Sequence, residues 1–258
     1  MFQIKTFVIE IYLDTNPLRK DYIICMADLL GVSILAGDEL CQPIDLKLLS
    51  NPKIFFKISE KITQKTDSEF SHFNRSLPRD GFLSLCSLYQ ATLNIDLSQF
   101  KNGRIGLYTA FMNGPMLGQL FDKIKEMNLT EGMAYAKKWW PPKQHFRQNA
   151  PLRATHFAIH YKLNGPQMCF VHPQNGLHQA IEAAKIDLRL RTVDLAIVTA
   201  SFSFEDIQTV HYYSESCTEL REASVSLVFN NPEHNFKITP THELTSGVCT
   251  PYLKLKTN

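Results

Sequence analysis

Apolar and polar positions change period several times along the chain, and each change marks a predicted element. Residues 2–13 partly alternate, with Phe2, Ile4, Phe7, Ile9 and Ile11 on the apolar beat, and predict a strand. Residues 20–35 predict a helix or two short elements. The segment 50–74, with Lys53, Lys57, Lys61 and Lys65, is polar and predicts a surface helix plus loop. From 78 to 91, Phe82, Leu83, Leu85, Leu88 and Tyr89 recur at the spacing of a helix laid on a sheet. Residues 104–109 form an apolar run, the pattern of a buried strand. The loop Asn113-Gly114-Pro115 opens a helix through Leu117, Leu120, Phe121 and Ile124, and residues 137–147, rich in Lys, Trp and Pro, predict an ordered surface loop. A helix, a strand at 167–171, a sharp turn, a helix from Leu177 to about 190 and a strand at 193–198 follow. Residues 231–258, with Pro232, Pro240 and Pro251, predict an extended ending suited to wrapping on a partner. Strands alternating with helices imply an α/β layered domain with a mixed, largely parallel sheet.

Composition narrows this picture without redrawing it. With 258 residues and 44% hydrophobic content, the chain can bury a sizeable core in one domain. A net charge of +2 is too balanced to argue for nucleic acid. Cys25, Cys41, Cys86, Cys169, Cys217 and Cys249 are scattered with no Cys-x-x-Cys spacing, which points to reduced thiols in a cytoplasmic protein and to no metal site. The amino terminus lacks a signal peptide's cationic start, and no apolar run reaches the ~20 residues of a membrane span.

The strand–turn–helix at residues 165–176 holds the most specific signal. Such a turn can lift a Cys or Ser out of the backbone as a nucleophile. Here it carries His172, Pro173, Gln174 and Asn175 before Gly176, so the nucleophile is missing. Ahead of it stands Tyr161-Lys162-Leu163-Asn164-Gly165-Pro166, and behind it Gly176-Leu177-His178-Gln179-Ala180, a helix and an Asp194-rooted apolar strand. Arg104-Ile105-Gly106-Leu107-Tyr108 lies upstream, and Leu220-Arg221-Glu222-Ala223-Ser224-Val225 downstream. In this order, over residues 80–230, these segments resemble the amino-terminal half of the β-ketoacyl synthases. Tyr-x-Leu-x-Gly-Pro leads into their nucleophile strand, and a Gly-Glu-Gly-Ala step precedes their last strand.

The resemblance implies a thiolase-like half-fold, a mixed five-stranded sheet layered with helices, with residues 1–258 as a single β-ketoacyl synthase-like N-terminal domain. It departs from that family in three ways. Anchored on Gly165-Pro166 the missing Cys falls at Gln174, and anchored on Gly176 it falls at Pro173. The chain stops at Asn258, before the half that carries the two condensing histidines, and Thr199-Ala200-Ser201-Phe202 stands in place of a glycine-rich turn. A condensation needs a thiolate and two polarising donors, so no catalytic residue and no cofactor is expected.

Chain-length-factor subunits of type II polyketide synthases share this lack, and a short, first-half-only form resembles subunits of aryl-polyene pathways. The implied partners are a Cys-bearing β-ketoacyl synthase, as a heterodimer, and an acyl carrier protein, in polyketide or fatty-acid-type biosynthesis. The implied interface strand is Gln167-Met168-Cys169-Phe170-Val171. The implied tunnel-lining residues are Met116, Leu120 and Phe121, and the implied carrier-docking residues Lys137, Lys138, Lys143 and Arg147, near Trp139 and Trp140. Other classes remain open at this point. His172 or Cys169 would serve a stand-alone acyltransferase or thioesterase, and a carrier-binding assembly module needs neither. Ser201 and Ser203 with Asp206 and His211 form a triad only on paper, and His156 and His160 share a metal-ligand spacing without a matching carboxylate.

Overall fold

The computed structural model describes residues 8–13, 20–25, 30–36, 39–41, 54–58, 77–100, 104–111, 123–139, 150–171, 176–204, 219–231, 237–238, 248–249 and 254–255. Four helices fall within these segments: α1 (Arg79–Thr92), α2 (Leu129–Trp139), α3 (Ala150–His160) and α4 (Gly176–Arg189). The strands in chain order are β1 (Val8–Leu13), β2 (Lys20–Cys25), β3 (Gly31–Ala36), β4 (Glu39–Cys41), β5 (Ile54–Lys57), β6 (Ile105–Phe111) and β7 (Gln167–Val171). They continue with β8 (Leu195–Phe202), β9 (Glu219–Arg221), β10 (Ala223–Phe229), β11 (Lys237–Ile238), β12 (Val248–Cys249) and β13 (Lys254–Leu255).

A five-stranded mixed sheet in the order β3-β10-β8-β6-β7 is the centre of the molecule. β6 runs parallel to both β7 and β8, whereas β10 is antiparallel to β8 and β3. Every residue of β6, β8 and β10 is buried. That accounts for the near-continuous apolar runs of β6 and β8, since a strand covered on both faces has no solvent side to alternate with, while in β10 Ser224 and Ser226 alternate with Val225 and Leu227. Alternate residues feed two cores. Leu107, Ile197 and Val228 join α1 and α3 on one face, and Tyr108, Val198 and Leu227 join α4 on the other.

Small side chains set how closely α1 lies on the sheet. Ser84 and Ser87 on the helix meet Ser201 and Ser33 on the strands, and a Cβ at Gly31 would fall 2.0 Å from the Ala91 carbonyl oxygen. Buried hydroxyls at this contact, Ser33, Ser84, Ser87 and Ser201, are hydrogen-bonded, as burial requires. Thr199 donates to the Val225 carbonyl at 3.1 Å and accepts from Ser226 at 2.9 Å. On the opposite face, the Tyr108 ring lies across Gly106 on its own strand, and its hydroxyl donates to Asp187 Oδ2 at 2.7 Å.

Several expectations change. Residues 20–35 hold two short strands, β2 and β3, so of the two alternatives expected there the helix is replaced by two short elements; Tyr22-Ile23-Ile24-Cys25 is an apolar run short enough for a strand, and Val32-Ser33-Ile34 alternates. Ile54-Phe55-Phe56-Lys57 is a strand paired with β4 and β9, where a surface helix was expected; its three-residue apolar run outweighs the flanking lysines. Lys137 and Lys138 belong to the last turn of α2, not to a loop. Thr199-Ala200-Ser201-Phe202 extends β8 and makes no turn. In the ending, β11, β12 and β13 pair with β2, β9 and β1 of the same chain, so these pieces wrap on the protein itself. Among the described residues, no helix is long and apolar enough to cross a membrane.

Candidate functional site

The three parallel strands end at one level. Phe111 on β6 lies opposite Val171 on β7 and Ser201 on β8. In open α/β sheets, ligands collect at the carboxyl ends of such strands, and the degenerate turn leaves the sheet there, between Val171 and Gly176. His172, Pro173, Gln174 and Asn175 lie outside the described residues. Gly176, the first residue of α4, is buried against the sheet, and a Cβ there would come 3.2 Å from the Ala110 Cβ. The helix start is thus seated directly on β6, as a short turn from β7 requires.

Among the described residues, β7 is the outer strand of the sheet, bonded through one edge to β6. Its side chains are more exposed than those of the inner strands: Met168 is 39% and Val171 48% accessible, with Cys169 and Phe170 half-buried. The edge therefore carries apolar residues without the charge or proline that commonly guards an open strand.

Behind the strand ends lies a buried polar centre that pattern reading missed. Glu222, between β9 and β10 and 1% exposed, accepts from Arg79 Nε at 2.7 Å and from Arg79 Nη2 at 2.7 Å. It also accepts from the backbone N–H groups of Ile58 at 2.9 Å and Phe204 at 3.3 Å, while Arg79 Nη2 donates to the Ile58 carbonyl at 2.8 Å. One carboxylate thus ties together the end of β5, the start of α1, the exit of β8 and the entry to β10. A signal did exist in the sequence. An arginine in the first turn of a helix opposes the helix dipole and calls for an acidic partner.

The other candidates resolve as follows. Ser201 is fully buried, donating to the Asp80 carbonyl at 2.6 Å and bonded to Ser84 Oγ at 2.7 Å, so it is held as a structural hydroxyl and not as a nucleophile. Ser203 is buried, and Asp206 and His211 lie outside the described residues. His156 is half-buried, and burial holds its pKa below the usual histidine value. His160 stands edge-on to Tyr161 with ring centroids 4.9 Å apart. Among the described residues, no group of three or more His, Cys, Asp or Glu side chains is placed to hold a metal ion. Lys137 and Lys138 are exposed on α2, and Lys143, Arg147, Met116, Leu120 and Phe121 lie outside the described residues. Cys86 is buried and Cys169 half-buried, both as thiols.

No protein-family model and no curated protein matches the sequence, so solved structures carry the comparison. AntDE:AntF, a type II polyketide synthase acyl-carrier protein in complex with its ketosynthase bound to the hexaketide, aligns with a TM-score of 0.60 at 12% identity, over 80% of this chain and 63% of that one. The ishigamide ketosynthase/chain length factor aligns with a TM-score of 0.59 at 12% identity, over 78% of this chain and 61% of that one. The chain has the ketosynthase fold. A β-ketoacyl synthase from Burkholderia phymatum agrees, with a TM-score of 0.55 at 13% identity, over 80% of this chain and 59% of that one. The thiolase-like α/β architecture expected from the ordered segments is therefore present, and the aligned part spans about three fifths of the length of each solved ketosynthase.

Proposed function

We propose that this chain is a non-catalytic ketosynthase-like subunit, a chain length factor, that pairs with a Cys-bearing β-ketoacyl synthase and shapes the tunnel holding the growing acyl or polyene chain. The observation that carries the reading is a ketosynthase fold whose strand β7 and helix α4 flank a turn with no Cys or Ser. Without a thiolate at this turn there is no acyl-enzyme on which a condensation could proceed. Elongation then occurs on the partner, with substrates delivered as carrier-protein thioesters in the cytoplasm. The chain acts as a single domain.

The open apolar edge of β7 supports pairing through Gln167, Met168, Cys169, Phe170 and Val171, because an extended partner strand would satisfy its outward backbone groups. The exposed Lys137 and Lys138 support a docking face for an acidic carrier protein, extended by Lys143 and Arg147. Met116, Leu120 and Phe121 are assigned to the tunnel wall, where larger side chains would shorten the product.

The test is co-expression with a cognate Cys-bearing synthase, followed by the mass of the purified complex from size exclusion with light scattering. A stoichiometric heterodimer, together with no condensation by this chain alone, is the expected result. A stable monomer or homodimer that ignores the synthase would overturn the reading.

A further inference from the structure

We propose that α2 joins two copies of this chain, packing antiparallel against the α2 of a second copy about a two-fold axis between Ala134 and Tyr135. The proposal does not rest on the chain-length-factor reading. It starts from a helix left bare. Helices α1, α3 and α4 lie on the five-stranded sheet, whereas among the described elements none packs along α2. Its start is fixed locally. Asn128 Oδ1 accepts from the Glu131 N–H at 3.0 Å, and Gly132 is buried against the preceding turn, where a Cβ would stand 3.8 Å from the Ile124 Cβ and 3.9 Å from the Met127 Cβ.

Along one flank runs a shallow, mostly apolar groove lined by Met127, Glu131, Ala134, Tyr135 and Lys138. Met127, Glu131, Ala134 and Lys138 follow the alternating four- and three-residue spacing of a coiled-coil seam. Glu131 and Lys138 are exposed, and neither is ion-paired among the described residues. Their midpoint falls between Ala134 and Tyr135. A second α2 turned end over end about that point sets each Glu131 against the other copy's Lys138. The small Ala134 then lies beside the axis, where it lets two helices approach closely. Parallel pairing would set acid on acid and base on base, so the charges select the antiparallel one. Leu129 and Met133 are exposed on the far flank, which carries no acid and so nothing that orients a copy. α2 has 11 residues and is about 16 Å long. Such a helix cannot supply the ~800 Å² per partner of a standard interface, so the pair forms reversibly and fills as concentration rises. Where the synthase covers β7, the contact joins two heterodimers. Lys137, about 100° around the helix from Lys138, stays open to a carrier protein.

The experiment is sedimentation velocity over a concentration series, on the full chain in complex with the synthase, or on the full chain by itself where no complex forms. The parent is expected to self-associate reversibly, and less so as salt rises. Glu131→Lys and Lys138→Glu each turn two opposite-charge contacts into like-charge ones, and each is expected to weaken association roughly tenfold. An equal mixture of these two variants sets opposite charges at both contacts again and is expected to associate as the parent does. Met133→Ser, on the far flank, is the control and is expected to change nothing.

Absence of self-association in the parent overturns the proposal. So does association that either single variant leaves unchanged. A mixture that stays as weak as its components also overturns it, since the loss would then come from something other than the paired charges. An equal loss in Met133→Ser moves the contact to the far flank and overturns it too. Should a single variant fail to fold, Ala134→Glu decides: it brings two carboxylates together at the axis, and parent-like association would refute the pairing.

Discussion

Replacing Gly31 with alanine tests how tightly α1 is laid on the sheet. The added Cβ would stand 2.0 Å from the Ala91 carbonyl oxygen, 3.1 Å from its carbon and 2.8 Å from Ile95 Cδ1. The isoleucine end can rotate away, but the carbonyl is backbone in the last turn of α1 and cannot. An ordinary carbon–oxygen contact would need the helix and β3 to part by about 1 Å. That separation would loosen the ladder between β3 and β10 or the packing of Leu88 and Ala91. Overpacking a well-filled core costs about 1–3 kcal/mol, and a backbone collision falls at or above the upper end, so about 3 kcal/mol is expected. For a chain of this size that is a fall of roughly 6–12 °C in melting temperature. The control is Gly132→Ala on α2, where the nearest atom to the new Cβ is 3.8 Å away and helix propensity favours alanine by roughly 0.5–1 kcal/mol. Thermal unfolding of both variants, followed by circular dichroism, gives the comparison. A Gly31→Ala protein melting within 2 °C or so of the parent would refute the close approach.

Three further outcomes are expected. Tyr108 has its pKa pushed far above the ordinary phenol value by burial and by its bond to Asp187. The unfolded phenol ionises near 10, so this contribution is whole below that pH and is lost above it; ultraviolet titration should find Tyr108 ionising only as the protein unfolds, and Tyr108→Phe should remove that component. His156 is shifted downward by burial, so the unfolded state takes up its proton first. Its contribution is present above about pH 6.5 and lost as pH falls below it; His156→Gln should flatten the stability curve in that window, and proton NMR should show a depressed midpoint. Finally, Val171→Asp on the exposed face of β7 should leave the melting temperature within a few degrees of the parent and abolish the heterodimer in light scattering, whereas a normal heterodimer would remove β7 from the interface.

How much of this was legible in the sequence depends on how local each feature is. β6 and β8 stood out because strands buried on both faces are largely apolar, α1 and α4 because one face of each is, and β10, with Ser224 and Ser226 between apolar residues, was legible only through the resemblance. The turn after β7 was legible as a spacing between a strand and a helix. The strands β2, β3 and β5 were not. Short segments with mixed patterning take their state from the neighbours they pair with, and those neighbours lie far along the chain, as Ser224 does from Leu35. The pairing of Arg79 with Glu222 crosses 143 residues and leaves only a misplaced charge as its trace. The buried serines read as polar positions, although small hydroxyls at a helix–sheet contact are a packing device when each finds a carbonyl or another hydroxyl.

Among the described residues the outer edge of β7 is uncovered, which bears on how such a protein must be made in a cell. Gln-Met-Cys-Phe-Val holds no lysine, no proline and no net charge, and its outward side can template any extended chain it meets. Molecules synthesised in excess of whatever covers this strand would add to one another and precipitate. If the proposed synthase partner covers the strand, production of the two has to keep step. Expression from a shared message, or assembly while one chain is still being translated, would meet that demand.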